Sequence, residues 1–155
     1  MSASPLTPRV SIRREDFDAG AEIVEITRGR TDIGAVVTFS GLCRDENQSL
    51  AALELEHYPG MAEAEISRIA LEAAQRWPLL ALTVIHRFGR ILPGENIVLV
   101  VAASAHRQAA FDAASFLMDF LKARAPFWKK EHKREGAGGW VGARDSDAEA
   151  ARRWT

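Results

Sequence analysis

The sequence predicts an α+β fold, in which helices and strands are mixed without strict alternation. Two long segments carry apolar residues at helical spacing, and four or five shorter ones are rich in β-branched residues or alternate apolar with polar positions. No internal repeat or low-complexity linker interrupts the chain. The 155 residues therefore predict one domain over 9–155, preceded by a Ser- and Pro-rich start, 1–8, that we expect to be disordered.

The first elements follow from local signals. Asp16 or Asp18 can cap a short helix, because a carboxylate there accepts a hydrogen bond from a free backbone N–H of the first turn. The β-branched stretch 34–42 predicts a strand. The polar stretch 43–51 that follows it predicts a mobile loop.

A strand and a helix come next. Residues 53–58, LELEHY, alternate in a two-residue period, with Leu53, Leu55 and His57 on one face and two glutamates with a tyrosine on the other, which predicts a half-buried strand that ends at Pro59. Residues 61–76 carry apolar side chains at helical spacing, and Pro78 ends that pattern. The apolar positions of this helix are Ile66, Ile69, Ala70, Ala73 and Trp77.

The second half repeats these signals. Residues 82–89 predict a strand, 92–95 a turn, and the unbroken apolar run 97–104 a strand covered on both faces. A second helix is predicted over 106–123, before Pro126. Its predicted core side consists of Phe111, Ala114, Met118 and Leu121. A last short strand at 140–144 and a closing helical turn at 146–154 complete the prediction.

The composition excludes several classes of protein. A formal net charge of -1 with 26% charged residues argues against a surface that binds nucleic acid or membrane as a whole. Cys43 is the single cysteine, which excludes an internal disulfide and favours a reducing compartment. The start does not read as a signal peptide, and the longest apolar run is too short to cross a bilayer. We therefore expect a cytoplasmic protein.

Known nucleotide-binding and hydrolase motifs are missing, and the histidines lack metal-ligand spacing, so we predict no metal site. What remains is a concentration of basic residues around the apolar tripeptide 126–128. They are Lys122, Arg124, Lys129, Lys130, Lys133 and Arg134. One interpretation is a solvated face in which Lys122 and Arg124 stabilise a helix end. The other is an anion site, in which packing of the tripeptide desolvates the flanking lysines.

Other basic residues also allow two interpretations. His106 and Arg107 begin the second long helix, where free N–H groups favour an anion, although an exposed arginine there needs no ligand. Arg44 follows a strand end and is either a ligand contact or a plain loop arginine. Cys43 beside it has no local histidine to activate it.

The two ends of the second long helix cannot serve one small ligand. Arg107 and Lys122 are fifteen residues apart, hence roughly 22 Å apart in a helix. If both act on one substrate, the helix start of one subunit must meet the helix end of another. We therefore predict a symmetric homodimer with composite sites.

Three groups of segments together carry a family resemblance from residue 34 to the end of the chain. The first is GAVVTFSGLCRDEN with LELEHYPGMAE, the second is VIHRFGRILPGE with SAHRQAAFDAASFLMDFLKARAPFWKKE, and the third is WVGARDSD. With these segments the chain resembles the large, catalytic subunit of molybdopterin synthase.

The resemblance implies an α/β hammerhead fold with an added α+β subdomain and a sulfurtransferase activity. In this family a small ubiquitin-like subunit carries a thiocarboxylate on its C-terminal Gly-Gly and docks on each large subunit of a homodimer, giving a heterotetramer. Two sulfurs pass to cyclic pyranopterin monophosphate and form the dithiolene of molybdopterin, in the biosynthesis of the molybdenum cofactor. The family's large subunit needs no cofactor of its own.

The resemblance also implies the site residues. The expected catalytic residues are Lys122 and Lys129. The expected substrate-binding residues are Leu42, Cys43, Arg44, His106, Arg107, Lys130, Glu131 and Arg144. We hypothesise that Lys122 neutralises the thiocarboxylate and the oxyanion formed at its acyl carbon, and that Lys129 holds the pterin or its phosphate. Leu42 departs from the lysine that some relatives carry.

Two rival hypotheses remain. The basic and aromatic segment 122–134 could instead bind RNA or a nucleotide, with Phe127 and Trp128 as stacking platforms. The chain could also be a scaffold that binds a ubiquitin-like partner without catalysis, although the four basic residues of the implied site argue against that.

Overall fold

The computed structural model describes residues 6–124, 126–134, 140–141 and 145–155, and it confirms the α+β prediction. Its helices are α1 (Ala19–Thr27), α2 (Met61–Arg76), α3 (Arg107–Arg124) and α4 (Asp145–Arg152). Its strands are β1 (Arg9–Arg13), β2 (Ala35–Leu42), β3 (Leu50–His57), β4 (Leu79–Arg87), β5 (Gly89–Ile91), β6 (Asn96–Ser104), β7 (Phe127–Lys133) and β8 (Trp140–Val141).

The strands form two four-stranded sheets. The first sheet has the order β1-β4-β6-β2, with β1 parallel to β4 and the other pairs antiparallel. Strand β6 lies inside this sheet and is buried from Val98 to Ser104, as its unbroken apolar run predicts. The second sheet has the order β5-β3-β7-β8 and is antiparallel throughout.

Helices cover both faces of the first sheet. On one face α2 and α3 pack their apolar sides, and the core there includes Ile66, Ile69, Leu117 and Val100. On the other face Ile23 and Ile26 of α1 pack beside a small buried cluster, and the Asp18 carboxylate accepts a hydrogen bond from the Ala21 N–H and caps the helix. The predicted short helix and both long helices are thereby confirmed.

The predicted core side of α3 is wrong at one position. Ala114, Met118 and Leu121 are buried, but Phe111 is 56% exposed. The buried side of the helix is centred near Leu117, and at 3.6 residues per turn Phe111 lies about 120° around the axis from it. Residues at helical spacing from a core position can therefore reach the edge of the buried side, where Phe111 meets solvent.

The structure adds strands that the sequence patterns did not predict. They are β1, β5 and β7, and their discovery corrects the expected four or five strands to eight within the described residues. The stretch 43–51 is also more regular than the predicted mobile loop, since a 3₁₀ turn occupies Glu46–Gln48 and Leu50 is already a buried residue of β3.

Two predictions concern residues near the ends of the chain that the structure describes only in part. Residues 1–5 of the expected disordered start and residues 142–144 of the expected last strand lie outside the described residues, so the predicted domain limits stay predictions. Across the described ranges, no helix combines the length and the apolar character that crossing a membrane requires.

Candidate active site

A cavity of about 490 Å³ opens between the end of α3, the segment that follows β2, and the second sheet. Apolar side chains form most of its inner wall, among them Leu53, Leu55, Met118 and Leu121. Its polar lining is mixed in sign: Arg44, Glu46, His86, Lys122, Lys129, Glu131 and Asp147. The cavity has the size of a small-molecule site.

Lys122 and Lys129 reach this cavity from different elements. Lys122 comes from the last turn of α3, and Lys129 comes from the inner part of β7. Both ammonium groups disfavour protonation of the buried imidazole of His86, so both are electrostatically coupled to the same ring. The fold therefore brings together the two residues expected to be catalytic.

Strand β7 separates inward from outward residues by its two-residue period. Phe127, Lys129 and Glu131 line the cavity, so the intervening Trp128 and Lys130 project from the opposite side of the strand. The predicted apolar tripeptide is thus the entry into a strand. Its Phe127 packs inward, while Trp128 is 44% exposed.

The outward side of β7 has its own partners. Trp128 packs edge-on against Tyr58, with ring centroids 4.9 Å apart. The Glu54 carboxylate lies 2.8 Å from Nε2 of His132, and this hydrogen bond, with a smaller contribution from the charge of Lys130, lowers the pKa of Glu54. Lys130, an expected substrate contact, is therefore placed outside the cavity with this group.

The segment after β2 supplies the mouth of the cavity. Leu42, Cys43 and Arg44 all line it, as the resemblance implies. The Arg44 guanidinium is largely exposed and lies 3.3 Å from the Glu46 carboxylate. An arginine at an open mouth, with a weakly held exposed partner, is available to an incoming anion.

Cys43 is buried beneath that mouth, in surroundings that disfavour its nucleophilic thiolate form. Burial raises the pKa of its thiol, and the nearby carboxylates of Glu95, Asp45 and Glu131 raise it further. Because the thiolate is the reactive form, Cys43 serves as a wall of the cavity and not as a sulfur donor. This agrees with the absence of an activating histidine in the sequence around it.

His106 and Arg107 lie at the far end of α3, exposed and outside the cavity. The helix runs without a break from Arg107 to Arg124, so the separation of roughly 22 Å between Arg107 and Lys122 stands in the folded chain. Arg144 lies outside the described residues.

Sequence reasoning missed three polar residues of the cavity, Glu46, His86 and Asp147. Asp147 belongs to α4, whose place beside α3 no local pattern reveals. His86 sits near the end of β4 with its ring stacked on Phe127, centroids 3.9 Å apart. Its signal was a titratable residue within a strand otherwise rich in apolar side chains, a feature that marks either a satisfied core residue or a site.

His86 is neutral, because burial, with smaller contributions from the neighbouring Lys122 and Lys129, lowers its pKa to about 4. The stack also uses one face of Phe127, which therefore is no free platform for a nucleic-acid base. This removes half of the aromatic pair on which the RNA-binding hypothesis depends.

An α+β chain with two lysines, an arginine and a neutral histidine around one partly apolar cavity has the features of an enzyme subunit that acts on anionic substrates. Comparison with known proteins narrows this class. The model of the MoaE protein family matches residues 12–124. The molybdopterin synthase catalytic subunit of Mesorhizobium japonicum is 71% identical over 150 residues, which cover 96% of this chain and 94% of the relative.

Solved structures agree with the sequence match. A molybdopterin biosynthesis MoaE protein from Burkholderia ambifaria is 44% identical, with a TM-score of 0.81 over 95% of this chain and 97% of that one. Molybdopterin synthase from Staphylococcus aureus is 30% identical, with a TM-score of 0.75 over 85% of this chain and 96% of that one. The chain belongs to the MoaE family of molybdopterin synthase catalytic subunits.

Proposed function

We propose that this chain, as the catalytic subunit of a molybdopterin synthase, transfers sulfur from the C-terminal thiocarboxylate of a small ubiquitin-like subunit to cyclic pyranopterin monophosphate. The observation that carries the proposal is the convergence of Lys122 and Lys129 on one cavity in a chain of this family. Two transfers supply both sulfurs of the dithiolene.

The proposed chemistry needs positive charge at two stages. The thiocarboxylate sulfur first attacks an oxygen-bearing carbon of the pterin precursor. The C–S bond forms as the C–O bond breaks and the oxygen leaves with the bonding electron pair, giving a thioester between the tail and the precursor. Water then adds to the acyl carbon and forms a tetrahedral oxyanion, whose collapse releases the tail as a carboxylate and leaves the sulfur on the pterin. A fixed ammonium group favours the incoming anion and the oxyanion, which is charge stabilisation at the developing centre.

Lys122 is assigned to this acyl carbon, because it projects from the rigid last turn of α3 into the cavity. Lys129 and Arg44 are assigned to the pterin and its phosphate, with Lys129 on the wall and Arg44 at the mouth. Glu131 lies on the same side of β7 as Lys129 and forms a 2.8 Å ion pair with Lys133. This pair offsets the negative charge that Glu131 presents to an incoming anion.

The site is proposed to be completed by a second copy of the chain. His106 and Arg107 lie at the other end of α3 from Lys122, too far to contact the ligand of their own cavity. In a symmetric homodimer the helix start of one subunit can meet the cavity of its partner. With a small subunit on each copy, the assembly is a heterotetramer, and we place it in the cytoplasm, where the unpaired Cys43 stays reduced.

The proposal is tested by a matched pair of substitutions at the end of α3. Lys122→Ala removes the cavity ammonium, whereas Arg124→Ala removes a charge from the same helical turn without touching the cavity. We expect Lys122→Ala to lower turnover by about 10²-fold or more, the effect of losing an oxyanion contact. Arg124→Ala should retain turnover within about threefold, since it changes only the helix end.

The assay mixes each variant with a thiocarboxylated small subunit and the cyclic precursor and measures the dithiolene product. Circular dichroism and light scattering confirm that both variants keep the fold and the oligomeric state. Nearly normal turnover by a folded Lys122→Ala chain would contradict the assignment of this lysine.

A further inference from the structure

The imidazole of His86 is a polar group of the cavity that has no part in the chemistry proposed above. The residue is 8% exposed, and the exposed part faces the cavity that it lines. Burying an imidazole costs free energy when one of its ring nitrogens has no hydrogen-bond partner, so we expect such a ring to have a function.

The ring is held in one orientation. Phe127 stacks against it with an interplanar angle of 13°, and Nδ1 lies 2.9 Å from the backbone carbonyl oxygen of Arg87. The Arg87 side chain is itself fixed by hydrogen bonds of 2.8–3.0 Å to the backbone carbonyl oxygens of Arg14 and Asn96. The end of β4 is therefore a rigid support for the imidazole.

This geometry also determines the tautomer. A carbonyl oxygen only accepts hydrogen bonds, so Nδ1 carries the proton and Nε2 presents a lone pair. Among the described residues, Nε2 has no hydrogen-bond partner. Most of the side chains that line the cavity are apolar and offer it no donor. The cavity thus contains an oriented acceptor that the described part of the chain leaves unpaired.

The acceptor and the ammonium group of Lys122 belong to residues that line the same cavity. Of the two cavity lysines, Lys122 acts more strongly than Lys129 on the charge of His86. A ligand that satisfies both groups must present an anion and an N–H donor close together. The last residue of a peptide does so, because its amide nitrogen and its carboxyl carbon are only about 2.5 Å apart.

We propose that His86 is a further substrate-binding residue, whose Nε2 accepts a hydrogen bond from the amide N–H of the terminal glycine of the sulfur-carrying tail, while Lys122 binds the thiocarboxylate of that same glycine. The inference rests on the proposed function. It adds the specificity of the site, since a site built to accept an N–H discriminates against a terminal residue that lacks one.

The experiment compares two semisynthetic small subunits that differ in one methyl group. One ends in Gly-Gly and the other in glycine-sarcosine, whose last amide nitrogen carries a methyl group and no hydrogen. Both carry a carboxylate, so no turnover occurs, and the dissociation constant is measured by titration calorimetry. We expect the sarcosine form to bind the wild-type chain about fivefold more weakly, the value of one lost hydrogen bond.

The same two ligands are then titrated into His86→Phe, which keeps the aromatic stack and removes the acceptor. We expect the ratio of the two dissociation constants to fall to within about 1.5-fold, because the coupling between amide and imidazole has been removed. His86→Asn is the second variant. It keeps a donor for the Arg87 carbonyl, and its amide oxygen ends one bond short of the position of Nε2, so it serves if the first variant does not fold.

The outcomes are distinct. An equal penalty for sarcosine in the wild-type chain and in the variant overturns the role of His86 and leaves the proposed function intact. A second result would also overturn it. If His86→Phe, assayed with the thiocarboxylated small subunit, raises only the KM for the cyclic precursor, the acceptor contacts the pterin and not the tail. If the Gly-Gly form fails to bind the wild-type chain at all, the proposed function itself is overturned and this inference with it.

Discussion

The buried imidazole of His86 makes the stability of the protein depend on pH in a defined window. Its pKa is lowered from 6.5 to about 4, first because burial removes the charged form from water and then because of the neighbouring cations. In the unfolded chain the ring regains its ordinary pKa. Between these two values the unfolded chain therefore binds a proton that the folded chain does not.

The sign and the magnitude follow from this difference. The unfolded state is favoured as the pH falls from about 6.5 to 4, so the free energy of unfolding declines through that window and levels off below it. Integrated between pH 7 and pH 5, the contribution of this one residue is about 2 kcal/mol. That is a large fraction of the net stability of a domain of this size.

The assay is urea denaturation at pH 7, 6 and 5, applied to the wild-type chain and to His86→Phe. The variant loses the hydrogen bond to the Arg87 carbonyl at every pH, so its absolute stability is not the readout. The readout is the change with pH, to which all other titrating groups contribute almost equally in both chains. We expect the wild-type chain to lose about 2 kcal/mol more than the variant between pH 7 and pH 5. Parallel curves for the two chains would refute the buried, neutral state of the ring.

Three further predictions address other parts of the molecule. Arg107→Ala and Lys122→Ala should each be poorly active alone, whereas an equal mixture of the two after co-refolding should regain up to about a quarter of the wild-type turnover, because about half of the dimers are mixed and one of the two composite sites is intact in each of these; no recovery would count against composite sites. Cys43 should react with a thiol reagent at pH 8 more than about tenfold more slowly in the folded chain than in urea, because burial raises its pKa, and similar rates would show an accessible thiol. Arg134→Ala should leave stability within about 1 kcal/mol, since the Arg134 side chain of its 2.9 Å ion pair with Asp45 is exposed, yet should speed proteolytic cleavage between 44 and 49; an unchanged cleavage rate would mean that this contact does not hold the segment.

The sequence predicts best where apolar periodicity and backbone punctuation agree. Helix α2 runs over the predicted 61–76, because its buried side chains recur at helical spacing between Gly60, whose φ is +87°, and Pro78. Strand β7 shows the opposite case. Its inward side carries Lys129 and Glu131 where a core strand would carry apolar residues, so alternation gave no signal.

The site was predicted in the same uneven way. Family motifs pointed to Lys122, Lys129 and the residues from Leu42 to Arg44, and all of these line one cavity. Local spacing could not reveal His86, because its role depends on a stack with a strand forty residues later in the chain and on a carbonyl of its neighbour. Such long-range contacts are set by tertiary packing and leave no period in the sequence.

Helix α3 acts as a fixed spacer as well as a core element. Each residue turns the helix by about 100° and advances it by about 1.5 Å. One inserted or deleted residue would therefore rotate Lys122 away from the cavity and change the distance between the two ends of the helix. The eighteen-residue length of α3 therefore couples the direction in which Lys122 points to the distance between the two ends of the helix. Substitutions are the only changes that this stretch can accept without uncoupling them.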